Sequence, residues 1–113
     1  MIEASCHCGA VRFAVETAPV EVTDCNCSIC RRYGGLWAYY QQPQVRFAAD
    51  NGPTDIYVWR HHMLEFHRCR ACGCLTHWAA VDRSYLRMGV NARLMPPEVL
   101  AAAAISQFDG AAM

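Results

Sequence analysis

Alternation of apolar and polar positions marks the first part of the chain. Val11, Phe13 and Val15 are interleaved with Arg12, Ala14 and Glu16, and Val20 and Val22 repeat the spacing ahead of Cys25. A period of two predicts half-buried strands. Residues 28–33 start on Ser28, an N-cap type of residue, and stop at Gly34-Gly35, which predicts one or two turns of helix. Aromatic and β-branched residues then fill 36–40, 45–48 and 56–59, with Asn51-Gly52-Pro53 as the turn between the last two, so three further strands are expected. Residues 64–68 and 75–79 read as the arms of a hairpin, and 85–90 as another short strand. Pro96-Pro97-Glu98 opens a helix through Val99, Leu100 and the alanine run, because proline suits a first helical turn and alanine is the best helix former. Residues 105–108 return as a strand. The expected architecture is mainly β, antiparallel sheets with short helices, in one domain over residues 1–113.

Composition narrows the function classes. Ten arginines balance ten acidic residues, no lysine occurs, and the net charge is zero. A nucleic-acid footprint needs a basic patch, so nucleic acid is not an expected partner, and an acidic membrane surface is disfavoured on the same ground. No apolar run approaches the ~18 residues of a membrane span, and Met1-Ile2-Glu3-Ala4-Ser5 lacks the basic and apolar regions of a secretory signal. The expected compartment is the cytoplasm.

Eight cysteines in 113 residues change the picture most. They fall in three clusters: Cys6 and Cys8; Cys25, Cys27 and Cys30; Cys69, Cys72 and Cys74. In a reducing compartment such spacing favours metal over disulfides. Cys69-Arg70-Ala71-Cys72-Gly73 has the form of a tight metal-binding turn, in which backbone N–H groups point at the sulfurs and glycine takes the positive φ that closes it. A redox pair would open a helix, whereas Leu75-Thr76-His77-Trp78 reads as strand. Cys6-His7-Cys8-Gly9 supplies the partner pair, and four thiolates complete a closed, tetrahedral zinc site. Cys25, Cys27 and Cys30 offer three thiolates near a predicted helix N-terminus. Either they leave a fourth position open to water or substrate, or Cys74, His77 or another residue closes it. Zinc is preferred to an iron–sulfur cluster because the C-x-C pairs do not match ferredoxin spacings.

With those residues in view, the chain resembles the glutathione-dependent formaldehyde-activating enzyme family, which also includes centromere protein V. The resemblance is carried by Ser5-Cys6-His7-Cys8-Gly9-Ala10-Val11-Arg12-Phe13, by Asp24-Cys25-Asn26-Cys27-Ser28-Ile29-Cys30-Arg31-Arg32, and by Phe66-His67-Arg68-Cys69-Arg70-Ala71-Cys72-Gly73. It implies a β-rich zinc fold of the Mss-four-like class, with a structural zinc on Cys6, Cys8, Cys69 and Cys72 and a second, catalytic zinc on Cys25, Cys27 and Cys30. It implies a carbon–sulfur lyase-type activity that joins glutathione and formaldehyde as S-hydroxymethylglutathione, or cleaves that adduct. A small-molecule thiol and an aldehyde are the implied partners, with a homodimer as an open option. After Gly73 the sequence departs from the family's commoner Gly-Thr-Pro-Leu type of continuation.

Thiolate-rich zinc sites carry net negative charge, and Arg31, Arg32, Arg68 and Arg70 flank the clusters, placed to offset it and to receive substrate carboxylates, or simply solvated. His67 and His77 are candidate acid–base groups or structural neighbours. Trp37, Tyr39, Trp59 and Trp78 are expected in the core. A zinc-stabilised binding module without catalysis is the alternative reading.

Overall fold

The computed structural model describes residues 1–112. Ten strands and two short helices follow in order: β1 (Ile2–Ser5), β2 (Arg12–Val15), β3 (Glu21–Cys25), α1 (Cys30–Tyr33), β4 (Trp37–Gln41), β5 (Val45–Phe47), β6 (Thr54–Trp59), β7 (Leu64–Cys69), β8 (Leu75–Ala80), β9 (Arg87–Asn91), α2 (Pro97–Ala102) and β10 (Ala104–Phe108). The mainly β expectation holds. Strand β1 has no counterpart in the pattern of the sequence, because four residues with one buried side chain carry too little periodicity to read. The first helix is one turn long, as expected; Gly34 at φ 70° caps its end, and Ile29 rather than Ser28 occupies its N-cap.

The strands form a small sheet in the order β1-β2-β5 and a seven-stranded sheet in the order β10-β3-β4-β9-β8-β7-β6. All pairings are antiparallel except β10 with β3. That parallel edge departs from the expected antiparallel pattern. Its cause is the return path: the chain leaves β3, builds the rest of the sheet, and comes back through α2, the kind of crossover a parallel pair requires.

The main core lies between the sheets. Phe13 and Val15 of β2, Val22 of β3, Ala38 and Tyr40 of β4, and Met88 and Val90 of β9 form one buried cluster, closed by Leu94, Val99 and Leu100. Burial of each aliphatic side chain contributes roughly 1.5–3 kcal/mol.

Because side chains alternate along a strand, the opposite face of the same strands is also populated. Trp37 of β4, Phe66 of β7, and Leu75 and Trp78 of β8 form a second cluster with Cys25, Cys27 and Cys30. Strand β8 is therefore buried along its whole length. Gly89 of β9 makes room for this layer, since a Cβ there would collide with the Trp78 indole.

A bulge between β7 and β8 sets the aim of this second face. Phe66 pairs with Trp78 and His67 with His77, but Arg68 then pairs with Leu75. Thr76 is the extra residue; it is fully buried, and its hydroxyl donates to the His67 carbonyl at 3.1 Å. The insertion returns Leu75 to the side of Trp78, facing the three cysteines.

Candidate metal centres

Two turns of matching design bring Cys6, Cys8, Cys69 and Cys72 together. In the first, Cys6 N–H donates to the Val11 carbonyl at 3.0 Å and Gly9 N–H to the Cys6 carbonyl at 3.2 Å. In the second, Cys69 N–H donates to the Cys74 carbonyl at 2.9 Å and Gly73 N–H to the Cys69 carbonyl at 2.8 Å. Gly9 and Gly73 share φ of +80°, a conformation that glycine adopts without strain. The four sulfurs all lie within 4.8 Å of one another. Cys8 Sγ stands 3.7 Å from Cys6 Sγ and 3.7 Å from Cys69 Sγ. A tetrahedron of sulfurs at zinc–sulfur bonds of ~2.3 Å has edges of about 3.8 Å, so the quartet fits a zinc ion.

The surrounding N–H groups favour thiolates here. Burial opposes ionisation of Cys6, but the Val11 N–H, 3.3 Å from its sulfur, and the Cys69 and Cys8 thiols bring its pKa below the ordinary thiol value. The backbone N–H groups of Cys74 and Cys8 pull Cys72 down to about 5. At Cys8 the Ala10 N–H favours the thiolate, yet desolvation and the neighbouring sulfurs prevail and raise it to about 11. Without a cation the quartet must keep protons to hold its charge down; a divalent cation replaces them.

The second cluster comes from a single stretch. Strand β3 ends on Cys25, a loop carries Cys27, and α1 begins at Cys30. All three are buried and their sulfurs lie within 4.8 Å of one another. Cys30 N–H donates to Cys27 Sγ at 3.4 Å and Trp37 Nε1–H to Cys30 Sγ at 3.4 Å. Burial raises Cys25 and Cys30, whereas at Cys27 the Cys30 thiol, the Cys30 N–H and the Cys25 thiol outweigh burial and lower the pKa. Among the described residues no fourth histidine, cysteine or carboxylate donor lies within that distance of all three.

Cys74 and His77, the two open options for closing this trio, are both elsewhere. Cys74 packs with the quartet, beside Cys6 and Cys69. His77 lies on the other face of the sheet, 4.6 Å between ring centroids from Phe47 of β5 and stacked at 4.2 Å on His67. His67 Nδ1 meets Thr54 Oγ1 at 2.8 Å and its Nε2 meets Glu65 at 3.3 Å, with Arg83 on the far oxygen of Glu65 at 2.9 Å. The histidine pair thus belongs to a half-buried polar network across the sheet from the trio.

The aromatic residues divide. Trp37 and Trp78 are core as expected, while Trp59 is half-buried and Tyr39 is exposed, stacked against Arg87 rather than buried. Of the four flanking arginines, Arg70 binds Asp55 at 3.0 Å and Arg31 is exposed; Arg32 and Arg68 line one cleft beside the trio.

One further contact has no local signal in the chain. After β10 the chain passes directly over the trio: a Cβ on Gly110 would stand 2.6 Å from Cys25 Sγ and 3.0 Å from Cys27 Cβ. Asn26 fastens this segment. Its Nδ2 donates to Asp109 at 3.0 Å, its Oδ1 accepts from Ala111 N–H at 3.0 Å, and its own N–H donates to the Phe108 carbonyl at 3.2 Å.

Fold and cysteine geometry together define a small β protein organised around two thiol clusters, each of which could bind a metal ion. The chain belongs to the glutathione-dependent formaldehyde-activating enzyme family, whose sequence profile matches residues 1–105. It is similar to a protein of Halomonas elongata provisionally named glutathione-dependent formaldehyde-activating enzyme, with 50% identity over 40 residues, 34% of this chain and 26% of that protein. The matched stretch thus spans about a quarter of that relative's length. A crystal structure of a Rhodobacter sphaeroides protein has the same fold, with a TM-score of 0.72 and 26% identity over 93% of this chain and 100% of that one. No helix among the described residues is long and apolar enough to cross a membrane.

Proposed function

We propose that this protein is a zinc-dependent, carbon–sulfur lyase-type enzyme that forms or cleaves an S-hydroxymethyl thiol adduct, such as S-hydroxymethylglutathione. The observation that supports it best is the unequal donor count: four cysteines converge at one centre and three at the other. On this reading Cys6, Cys8, Cys69 and Cys72 hold a structural zinc and Cys25, Cys27 and Cys30 a catalytic one. A zinc ion bound by the trio would supply Lewis acidity and would lower the pKa of a substrate thiol.

The chain's own residues prepare that chemistry. Cys30 N–H and Trp37 Nε1–H hold the Cys27 and Cys30 sulfurs in place. Trp37, Phe66, Leu75 and Trp78 exclude water from one side of the trio. In adduct formation the thiol sulfur bonds to the aldehyde carbon and the thiol proton ends on the aldehyde oxygen; cleavage reverses both changes. His67 and His77 face the other side of the sheet and take no part.

The partners of this reading are a small thiol, with glutathione first, and formaldehyde or another aldehyde, without nucleic acid or membrane. Eight free cysteines agree with a cytoplasmic setting. A homodimer is compatible with it.

The test is Cys27→Ser, with thiol–aldehyde exchange followed by NMR above the uncatalysed background. The expected result is loss of exchange and of one zinc, with the fold retained. Wild-type exchange in the variant overturns the reading. Burial of all three sulfurs favours a second reading, in which both metals are staples of a binding module. Equal unfolding by Cys27→Ser and Cys69→Ser would select it.

A further inference from the structure

Four sulfurs complete a tetrahedral zinc site, yet the quartet has a fifth thiol beside it. Cys74 packs against Cys6 and Cys69, and neither the fold nor the proposed chemistry uses its sulfur.

The two turns show that the backbone does not need it. Cys8-Gly9-Ala10 and Cys72-Gly73-Cys74 match position for position. Both glycines take φ of +80°, and in each turn the residue after the glycine gives its N–H to the preceding cysteine sulfur, Ala10 to Cys8 and Cys74 to Cys72. Ala10 does this with a methyl side chain, and it too packs beside Cys6 and Cys69. The Cys74 carbonyl, which accepts from Cys69 N–H at 2.9 Å, is equally indifferent to the side chain. Any small residue would complete the second turn.

The thiol instead reaches across to the first turn. His7 N–H, between Cys6 and Cys8, donates to the Cys74 sulfur, which also interacts with the Cys72 sulfur. Cys74 stays outside the set of four sulfurs that lie within 4.8 Å of one another, so it is a neighbour of the quartet rather than a member. Within the quartet Cys6 and Cys69 are buried, Cys72 is half-buried and Cys8 is exposed. The spare thiol is thus held against the turn that carries the donor most open to attack from solvent.

We propose that Cys74 is a reserve ligand of the quartet's metal ion, taking the coordination position of Cys8 when Cys8 is lost to an electrophile. Cys74 releases its thiol proton to solvent as its sulfur bonds to the metal, and the modified Cys8 sulfur leaves. The donor set is again four thiolates, and nothing is oxidised or reduced. A thiolate suits zinc better than the water that would otherwise fill the gap. The inference requires no catalysis at the trio.

The test uses the full chain loaded with cadmium, whose NMR resonance moves downfield with each sulfur donor and distinguishes the two centres. In Cys8→Ser the quartet's resonance is expected to keep its four-sulfur position. In Cys8→Ser/Cys74→Ser it should move upfield, and chelator competition should show the metal held about a hundredfold more weakly than in Cys8→Ser, roughly one donor's part of such a site's binding free energy. Cys74→Ser alone should leave the resonance where the wild type has it. Iodoacetamide followed by peptide mapping should modify Cys74 in the metal-loaded wild type and spare it in Cys8→Ser. Melting curves keep the comparison open if both variants are poorly folded, because Cys8→Ser should still melt above the double variant. Equal resonances, affinities and melting temperatures in the single and double variants overturn the proposal. A resonance displaced in Cys74→Ser alone also overturns it, since Cys74 would then be a standing ligand and not a reserve.

Discussion

The two thiol clusters solve different problems with the same side chain. In the quartet, Cys8 and Cys69 are 61 residues apart and their sulfurs are 3.7 Å apart, so a metal there would close a long loop and join the small sheet's first turn to the β7–β8 hairpin. In the trio, all three donors come from six consecutive residues of the β3–α1 connection, which the sheet already holds in place through Trp37, Phe66 and Trp78. Metal energy at the first centre would be folding energy; at the second it would add little to a loop that is already positioned.

The largest expected effect follows directly. Cys69→Ser breaks the long closure and leaves a buried polar group, and is expected to cost more than ~5 kcal/mol, enough to unfold a domain of this size. Cys27→Ser should cost under ~2 kcal/mol, within the range of ordinary single substitutions. Urea melts followed by circular dichroism measure both, and equal losses would erase the contrast.

Chelation sharpens the comparison without mutation. With three protein donors against four, the trio is expected to release its zinc first. A chelator titration with a colorimetric zinc indicator should show one equivalent leaving while the melting temperature moves by only a few degrees, and a second leaving together with the fold. Simultaneous release, or loss of the fold with the first equivalent, contradicts it.

Acid separates the thiol clusters from the histidine pair. Burial, and then its neighbour His67, hold His77 neutral, with its pKa pushed down to about 3, against ~6.5 in an unfolded chain. As the pH falls below that unfolded value, the unfolded state gains a proton that the folded state refuses until near pH 3. Stability present above neutrality is therefore lost across this window, by about 2 kcal/mol between pH 7 and pH 5. In His77→Leu the difference between urea melts at those two pH values should shrink by that amount. Zinc release from the trio by acid should be unaltered, because His77 lies on the opposite face of the sheet from Cys25, Cys27 and Cys30. Identical pH slopes in variant and wild type would show that the ring does not carry this term.

Much of this contrast was legible in the sequence, and for a physical reason. A C-x-x-C-G turn works through bonds among neighbours in the chain, so Cys69 to Gly73 announces itself, as does the hairpin on either side. The mainly β architecture follows from alternation at Val11, Phe13 and Val15. What could not be read was long-range. Strand β10 lies parallel to β3 because of the path of α2. The Thr76 bulge decides that Leu75 faces the trio and His77 does not. Asn26 and Asp109, 83 positions apart, meet only once β10 has paired. Nothing local marks Asn26 among the polar residues of a cysteine loop.

That last contact offers the finest test of how the two centres differ, since Cys8 of the quartet is exposed while all three cysteines of the trio are buried. Asn26 bonds both Asp109 and Ala111, and Gly110 is pressed against Cys25 with no room for a Cβ. Asn26→Ala removes two exposed hydrogen bonds, worth about 1 kcal/mol together once exchange with water is counted. The fold should survive, with a melting temperature lower by a few degrees. The segment over Cys25, however, loses its fastening, so the trio should yield its zinc to chelator several-fold faster while the quartet's rate stays the same. Gly110→Val reaches the same end by displacement, because its side chain cannot share the space of Cys25 Sγ. Acceleration at both centres would mean a general loosening. Acceleration at neither would mean that chelators reach the trio from the Arg32–Arg68 cleft, and that the covering segment guards a side from which nothing approaches.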